Sequence, residues 1–324
     1  MALALGLLTV LVLGVAACGS SSGGSGTISL VAYSTPQEAY EQIIPAFKKT
    51  DDGKDVDFKQ SYGASGDQAR AVEAGLDADV VALSLQPDVD KLVPKNVPEG
   101  WNSDKYDGFV TNSVVVFAVR KGNPKNIKTW DDLIKDGIEV IEPNPFTSGG
   151  AKWNIMAAYG AQLEQGKTEQ QAEEYLRQLF KNVPVQDKSA REALQTFVGG
   201  KGDVLLAYEN EAITAKQKGE DVDYVIPDQT ILIQNPIAAT VDGGDVAKKF
   251  VEFTRTEEAQ KIFASKGYRS VIDSLVNKSE YPTPPGLFEI TKFGGWDEVN
   301  EKFFDAEKGV VAEIEKDLGV STEK

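Results

Sequence analysis

Four segments of the chain place a hydroxyl residue at the start of a predicted helix, and one of them also carries two glycines. That segment is Ser148-Gly149-Gly150, which opens a helix predicted over about 150–163. Ser148 is placed to cap the helix, and glycine, having no Cβ, lets the first backbone N–H groups approach a ligand closely. These N–H groups have no partner inside the helix, and the helix dipole favours negative charge there. The segment therefore predicts an anion-binding site.

The other three starts follow the capping-box pattern, in which Glu or Gln lies three positions after a hydroxyl residue. They are Thr35 with Glu38, Ser65 with Gln68, and Ser189 with Glu192. One such start is ordinary in any protein. Four of them, in a chain that also has the features of an exported protein, indicate an anion-binding protein.

The N-terminus has the pattern of an export signal. Residues 2–17 are apolar or small, a length that fits a signal peptide better than a membrane span of about 20 residues. Small residues precede Cys18, the only cysteine, and residues 19–26 contain only glycine and serine, as flexible tethers do. We predict a signal peptide over 1–17, and a lipidated Cys18 with its tether over 18–26. The alternative is a plain signal peptide followed by an incidental cysteine.

Lipidation would anchor the exported protein to the outer face of the cell membrane, in the periplasm if the envelope has an outer membrane. The overall composition then narrows the function. Fifty acidic and 34 basic residues give a net charge of −16, which argues against a nucleic-acid partner. Any bound anion must be held by local geometry. The absence of histidine excludes His-dependent catalytic triads and the commonest zinc sites, so we predict no enzyme, metal or cofactor.

Strands and helices alternate along the chain, which predicts an α/β protein with mainly parallel sheets. The predicted strands include 27–33, 56–60, 79–83, 113–120, 139–142, 183–186 and 203–207. The pattern appears twice, with joins near 111–114 and 234–240, which indicates two lobes with a ligand in the cleft between them. We place the first lobe at 27–112 plus 237–275, the second at 113–236, and a C-terminal helical segment packed on both at 276–324.

A fully ionised tetrahedral anion accepts hydrogen bonds and donates none, so each of its partners must be a donor. Hydrogen bonds to a charged group contribute about 1.5–3 kcal/mol each. Six or seven give a gross gain of roughly 10–20 kcal/mol, which leaves room for micromolar binding after desolvation and association costs. The sequence offers donors at helix starts and strand ends: the hydroxyls of Ser65 and Ser148, the N–H groups of Gly149, Gly150 and Ala190, either group of Ser34, and the phenol of Tyr208.

The chain resembles the sulfate/thiosulfate-binding proteins, the substrate-binding components of ABC importers. The resemblance rests on segments that run in order through most of the mature chain. They are 33–38, 60–66, 116–125, 144–153, 180–183, 202–212 and 293–296, of which Ser148-Gly149-Gly150-Ala151-Lys152-Trp153 is the most specific. The family implies a two-lobed periplasmic-binding-protein fold of type II that closes by a hinge, a monomer that binds sulfate and possibly thiosulfate, and a membrane permease as partner.

The resemblance also assigns residues to the site. Ser65, Ser148, Gly149, Gly150 and Ala190 match the family's sulfate-binding positions, and Arg191 is the arginine beside them. Three positions depart from the family pattern: Ser34 replaces an aspartate that binds through its backbone, Tyr208 replaces a tryptophan donor, and Lys152 replaces an arginine. A tyrosine hydroxyl donates but also accepts, so Tyr208 leaves the preference for sulfate open.

Three alternatives remain at the level of the sequence. Molybdate and tungstate carry the same charge as sulfate but are larger. Phosphate carries a proton at neutral pH and needs an acceptor, for which Asp67 is the candidate. A ferric-ion site would use phenolates such as Tyr208 and Tyr268, although this chain has no adjacent tyrosines.

Overall fold

The computed structural model describes residues 26–320 and 322, so the predicted signal peptide, Cys18 and nearly all of the tether lie outside the described residues. The strands are β1 (Gly26–Tyr33), β2 (Val56–Gly63), β3 (Val80–Ala82), β4 (Phe109–Arg120), β5 (Val140–Ile141), β6 (Val204–Tyr208), β7 (Val222–Val225), β8 (Gln229–Ala239), β9 (Arg269–Ser270) and β10 (Gly286–Phe288). The helices are α1 (Gln37–Phe47), α2 (Ser65–Glu73), α3 (Gln86–Asp90), α4 (Gly149–Glu164), α5 (Glu169–Lys181), α6 (Ala190–Val198), α7 (Glu209–Gln217), α8 (Gly244–Thr254), α9 (Glu257–Ser265), α10 (Trp296–Phe303) and α11 (Val310–Asp317). Short 3₁₀ helices span Trp130–Ile134, Asp273–Leu275 and Ile290–Phe293.

The first half of the sheet is built on β1, whose last six residues are buried because helices cover both of its faces. β1 pairs in parallel with β2 on one side and β3 on the other. The apolar faces of α1, α8 and α9 supply aromatic residues to the core below, among them Tyr40, Phe47, Phe250 and Phe263. All three parallel strands therefore end at the same edge of the sheet, which is where α/β proteins bind ligands.

Two long strands, β4 and β8, join the two halves of the molecule. They run antiparallel to each other from Phe109 opposite Pro236 to Val114 opposite Leu232. The end of β8 pairs with β3, and the end of β4 pairs with β6 and β7. The α/β class is confirmed, but the expectation of mainly parallel pairing is wrong for the second half, where β4 pairs antiparallel with β6, β7 and β8. The predicted joins near 111–114 and 234–240 fall within β4 and β8, but the alternation of strands and helices does not give the direction in which these strands pair.

The second half packs α4 and α5 on one side of β4 and β6, around a core that includes Phe117, Trp130 and Trp153. The predicted strand over 183–186 is wrong, because only Val185 forms a bridge, to Ile141. The C-terminal segment contributes α10 and α11, which cover this core. The indole of Trp296 packs edge-on against that of Trp153 at 4.7 Å between ring centroids. None of the helices in the described part of the chain is long and apolar enough to span a membrane.

Candidate anion-binding site

One small cavity lies between the two halves of the sheet, at the ends of strands and the starts of helices. All seven residues predicted to bind the anion line it: Ser34, Ser65, Ser148, Gly149, Gly150, Ala190 and Tyr208. Four further residues also line it, namely Tyr33, Thr35, Ala64 and Ser84, of which Thr35 was predicted only as a helix cap. The structure therefore brings together residues from five separate strand-to-helix connections.

Three helices begin at this cavity: α2 at Ser65, α4 at Gly149 and α6 at Ala190. The N–H groups of a helix's first turn have no acceptor within the helix, and the partial positive charge of the helix dipole is concentrated there. Three such ends around one small space create a site of positive potential without a cationic side chain. This arrangement suits a small anion.

The roles predicted for the hydroxyls at these starts are only partly correct. Ser189 forms the expected capping box with Glu192, since each side chain bonds the other residue's backbone N–H. Ser148 occupies the N-cap position of α4, but its side chain makes no capping hydrogen bond, which leaves the hydroxyl available to the cavity. The capping boxes predicted at Thr35 and Ser65 are wrong, because the N-cap residues of α1 and α2 are Pro36 and Ala64.

Ser65 is held by partners that are distant in sequence. Its hydroxyl donates to the Oδ2 atom of Asp88 at 2.7 Å and accepts from the backbone N–H of Ser84 at 3.0 Å. A serine hydroxyl has one proton, and here that proton is already used. Donation from this hydroxyl to an anion therefore requires that it leave Asp88, whereas the backbone N–H of Ser65, in the first turn of α2, has no partner within the helix.

Tyr208 and Ser84 meet inside the cavity. The side-chain oxygens of the two residues are 2.7 Å apart, and both residues are almost fully buried. Ser84 directly follows the apolar strand predicted over 79–83, so a polar residue at the end of that strand was the available signal for it. Burial, above all, raises the pKa of Tyr208 well above its ordinary value, so its phenol stays protonated at neutral pH.

Arg191 does not line the cavity but bridges the rim of the cleft. Its guanidinium contacts the carboxylate of Glu38 on α1, as does Lys218. Its backbone N–H also donates to the hydroxyl of Ser34 at 3.4 Å. Burial on its own would raise the pKa of Glu38, but the hydrogen bonds from Arg191 and Lys218 outweigh it and lower that pKa to about 2. Charges from the two halves thus meet at this rim.

Lys152 and Asp67 also lie outside the cavity. The Nζ atom of Lys152 donates to the Oδ1 atom of Asn300 on α10 at 2.7 Å and lies over the ring of Phe304. Asp67 forms an ion pair with Arg70 within α2, and its side chain is 46% exposed. The acceptor that a protonated anion would need from Asp67 is therefore not present at the cavity.

The two halves are in direct contact in this structure. The N–H of Gly66 donates to the carbonyl of Thr147 at 3.1 Å across the cleft. A Cβ atom on Gly149 would lie 2.8 Å from the hydroxyl oxygen of Ser84 and 2.9 Å from the side chain of Leu85. Glycine at 149 is thus required for this close approach of the two halves beside the cavity.

Known proteins share this sequence and this fold. The family model for bacterial extracellular solute-binding proteins matches residues 28–269. A sulfate-binding protein from Synechococcus elongatus is 44% identical over 319 residues, which cover 92% of this chain and 91% of that protein. A thiosulfate-binding protein from Pseudomonas aeruginosa is 33% identical over 305 residues, covering 89% and 92% of the two chains.

The solved structure of a sulfate-binding protein from Mycobacterium tuberculosis superposes with a TM-score of 0.84 at 41% identity. The match covers 86% of this chain and all of that one. Sequence and structure therefore agree over most of the chain. The chain belongs to the bacterial extracellular solute-binding proteins, among relatives named for binding sulfate and thiosulfate.

Proposed function

We propose that this protein captures sulfate outside the cytoplasm and delivers it to the permease of an ABC importer, with thiosulfate as a second ligand. The relatives named for these two anions support the choice of ligand. The role is that of a binding protein, with no chemical reaction assigned to it. Residues Ser34, Ser65, Ser148, Gly149, Gly150, Ala190 and Tyr208 form the proposed sulfate site.

The observation that carries this proposal is the chemistry of the cavity lining. Among the described residues that line the cavity, none has a carboxylate or a cationic side chain. Backbone N–H groups and hydroxyls remain, which match the acceptor oxygens of a fully ionised dianion. Phosphate at neutral pH carries a proton and would require an acceptor, and the one proposed for it, Asp67, lies elsewhere.

The negative charge of the anion is balanced by the groups that lie next to it in the cavity. The protein has a net charge of −16, so long-range attraction does not favour an anion. Three helix starts and several neutral donors supply the compensation inside a closed, water-poor space, where each hydrogen bond is stronger than in water. Hydrogen bonds to charged groups at about 1.5–3 kcal/mol each are then sufficient for micromolar or tighter binding.

The alternatives fit this cavity less well. Molybdate and tungstate share the charge and the acceptor chemistry of sulfate, so only their larger size distinguishes them. A ferric site would need phenolates, yet burial raises the pKa of both Tyr208 and Tyr268 well above the ordinary value. No group of three or more carboxylate, cysteine or histidine ligands occurs in the described part of the chain.

The remaining parts of the proposal concern location and partners. We infer that Cys18 carries the lipid anchor and that the tether over 18–26 holds the folded part close to the membrane. The two lobes, at 27–112 plus 237–275 and at 113–236, close on the anion by a hinge in β4 and β8. The protein acts as a monomer and docks on its permease through the cleft rims.

Calorimetric titration of the anion-free protein tests this function. Sulfate and thiosulfate should bind with micromolar or lower dissociation constants, while molybdate binds more weakly and phosphate gives no heat under the same conditions. Absence of sulfate binding together with tight binding of molybdate would overturn the proposal, although the assignment of the fold would stand.

A further inference from the structure

A narrow groove on one side of the cleft adjoins the anion cavity. Ser148 and Gly149 line both the groove and the cavity, whereas Gly66 and Thr147 line the groove alone. The two halves meet here, because the N–H of Gly66 donates to the carbonyl of Thr147. The Nη1 atom of Arg70 lies 3.3 Å from the position that a Cβ atom on Gly66 would take. When the halves separate at this contact, an anion that passes Arg70 reaches the donors of the cavity directly.

Cationic side chains from both halves line this groove. They are Arg70 of α2, Lys91 directly after α3 and Lys152 of α4, and the carboxylate among the described lining residues is that of Asp88. The side chain of Lys91 is 47% exposed, while that of Asp88, its partner at 3.1 Å, is 4% exposed. Even when Asp67, the partner of Arg70, is counted as well, three cations face two carboxylates. We call this feature the cationic groove.

The opposite rim of the cleft has the reverse balance of charge. There Arg191 and Lys218 lie among three carboxyl groups, those of Glu38, Glu211 and Glu220. Over the whole protein the net charge is −16, which repels an anion at long range. At short range, a dianion is therefore attracted to the side of the cleft that carries the cationic groove and not to the other side.

We propose that sulfate enters through the cationic groove, and that Arg70, Lys91 and Lys152 steer it to the neutral donors of the cavity without holding it there. This inference rests on the proposed function and adds an entry route to it. Charges at the mouth of a site act mainly on the rate of association, whereas the groups that contact the bound ligand mainly set the rate of dissociation. Local attraction thus acts where the anion must pass, while recognition stays with uncharged groups.

Stopped-flow measurement of the association rate at low sulfate concentration tests this route. Arg70→Gln should lower the rate about twofold to fivefold at an ionic strength of about 0.01 M, and Asp67→Asn should raise it by a similar factor. Both effects should almost vanish in about 0.5 M sodium chloride, because salt screens charges that the anion passes in water. The dissociation rate should change less than the association rate in both variants, which a purely structural role of Arg70 does not predict.

Two further variants separate steering from other effects of these substitutions. The double variant of Asp67→Asn and Arg70→Gln removes a partly exposed ion pair without changing the net charge, so its association rate should return close to that of the unmodified protein. Glu38→Gln removes one negative charge from the opposite rim. It should leave the association rate almost unchanged, because the anion does not pass there.

Unchanged association rates in Arg70→Gln and Asp67→Asn would overturn the inference. An equal increase in Glu38→Gln and Asp67→Asn would also overturn it, because the side of the cleft would then be irrelevant. If Arg70→Gln does not fold, the comparison of Asp67→Asn with Glu38→Gln decides. Failure of the unmodified protein to bind sulfate would instead contradict the proposed function, so a refutation confined to the entry route requires tight sulfate binding by the unmodified protein.

Discussion

The cavity and the cleft rim lie close together but use opposite kinds of polar contact. The cavity is lined by helix starts and hydroxyls without a charged side chain among the described lining residues. At the rim, Glu38 from the first half meets Arg191 and Lys218 from the second. Neutral donors in a fixed geometry can tell one anion from another, whereas ion pairs between side chains of the two halves mainly favour contact between the halves. Recognition and closure are thus assigned to different residues.

The largest effect is expected at Gly149, where the two halves of the molecule approach each other closely. In Gly149→Ala the new Cβ would meet Ser84 and Leu85 at 2.8–2.9 Å, so the halves could not reach their present contact. We expect sulfate affinity to fall by roughly a hundredfold or more, because several donors are lost together. Calorimetry measures this loss. Gly26→Ala, where a Cβ meets nothing within 4 Å, is the matched control. Affinity retained in Gly149→Ala would show that binding does not need this closed arrangement.

The second largest effect is expected on the free energy of unfolding and concerns the buried carboxyl of Glu211. Burial, only partly offset by Arg191, raises the pKa of Glu211 from an ordinary value of 4.5 to about 7. Between these values the folded protein binds more protons than the unfolded one, so the free energy of unfolding decreases as pH rises. Glu211→Gln cannot ionise and should be more stable than the unmodified protein by about 2 kcal/mol at pH 8, with little difference at pH 5.

Denaturant unfolding at the two pH values measures the effect of Glu211→Gln. Glu257→Gln, at an exposed helix position paired with Lys261, should show no such pH-dependent gain. Equal stability of Glu211→Gln and the unmodified protein at pH 8 would place the ionised carboxylate in a better-solvated setting than its burial indicates.

Ser148→Ala tests the cavity alone. Its hydroxyl makes no capping hydrogen bond, so removal should cost α4 little stability while taking one donor from the anion. We expect at least a tenfold loss of sulfate affinity with an almost unchanged melting temperature. Unchanged sulfate affinity would contradict the assignment of this hydroxyl to the sulfate site. A large drop in melting temperature would mean that the hydroxyl stabilises α4.

Substitutions at the cleft rim should change sulfate binding less than substitutions in the cavity. In Glu38→Gln the contacts with Arg191 and Lys218 lose their charge, so sulfate should dissociate about threefold to tenfold faster while its association rate changes little. Stopped-flow measurements at low and high salt test this, since the difference from the unmodified protein should shrink as salt screens the ion pairs. A change in the preference between sulfate and thiosulfate would instead mean that the rim takes part in recognition.

Local features of the sequence predicted much of this site. Helix starts are set by short-range signals, so Ser148, Gly149, Gly150 and Ala190 could be found from residue type and spacing. The contacts that decide what each group does come from distant segments. Asp88, 23 residues from Ser65, accepts the hydrogen bond that the Ser65 hydroxyl donates. Ser84 meets Tyr208 across 124 residues.

The same limit applies to the fold. Periodicity placed most of the predicted strands within a few residues of their positions in the structure. It could not show that β4 and β8 run antiparallel through both halves, because strand direction depends on pairing and not on composition. Tertiary contacts, and not local preference, determine these features.

The most direct test of the central claim is a crystal structure of the protein with sulfate. We expect the anion to lie in the cavity, about 3 Å from the hydroxyl of Ser148 and from the first-turn N–H groups of α2, α4 and α6. The hydroxyl of Ser65 should remain bonded to Asp88. An anion bound outside the cavity, or held directly by the side chains of Arg191, Lys218 or Lys152, would contradict the claim that neutral donors alone recognise it.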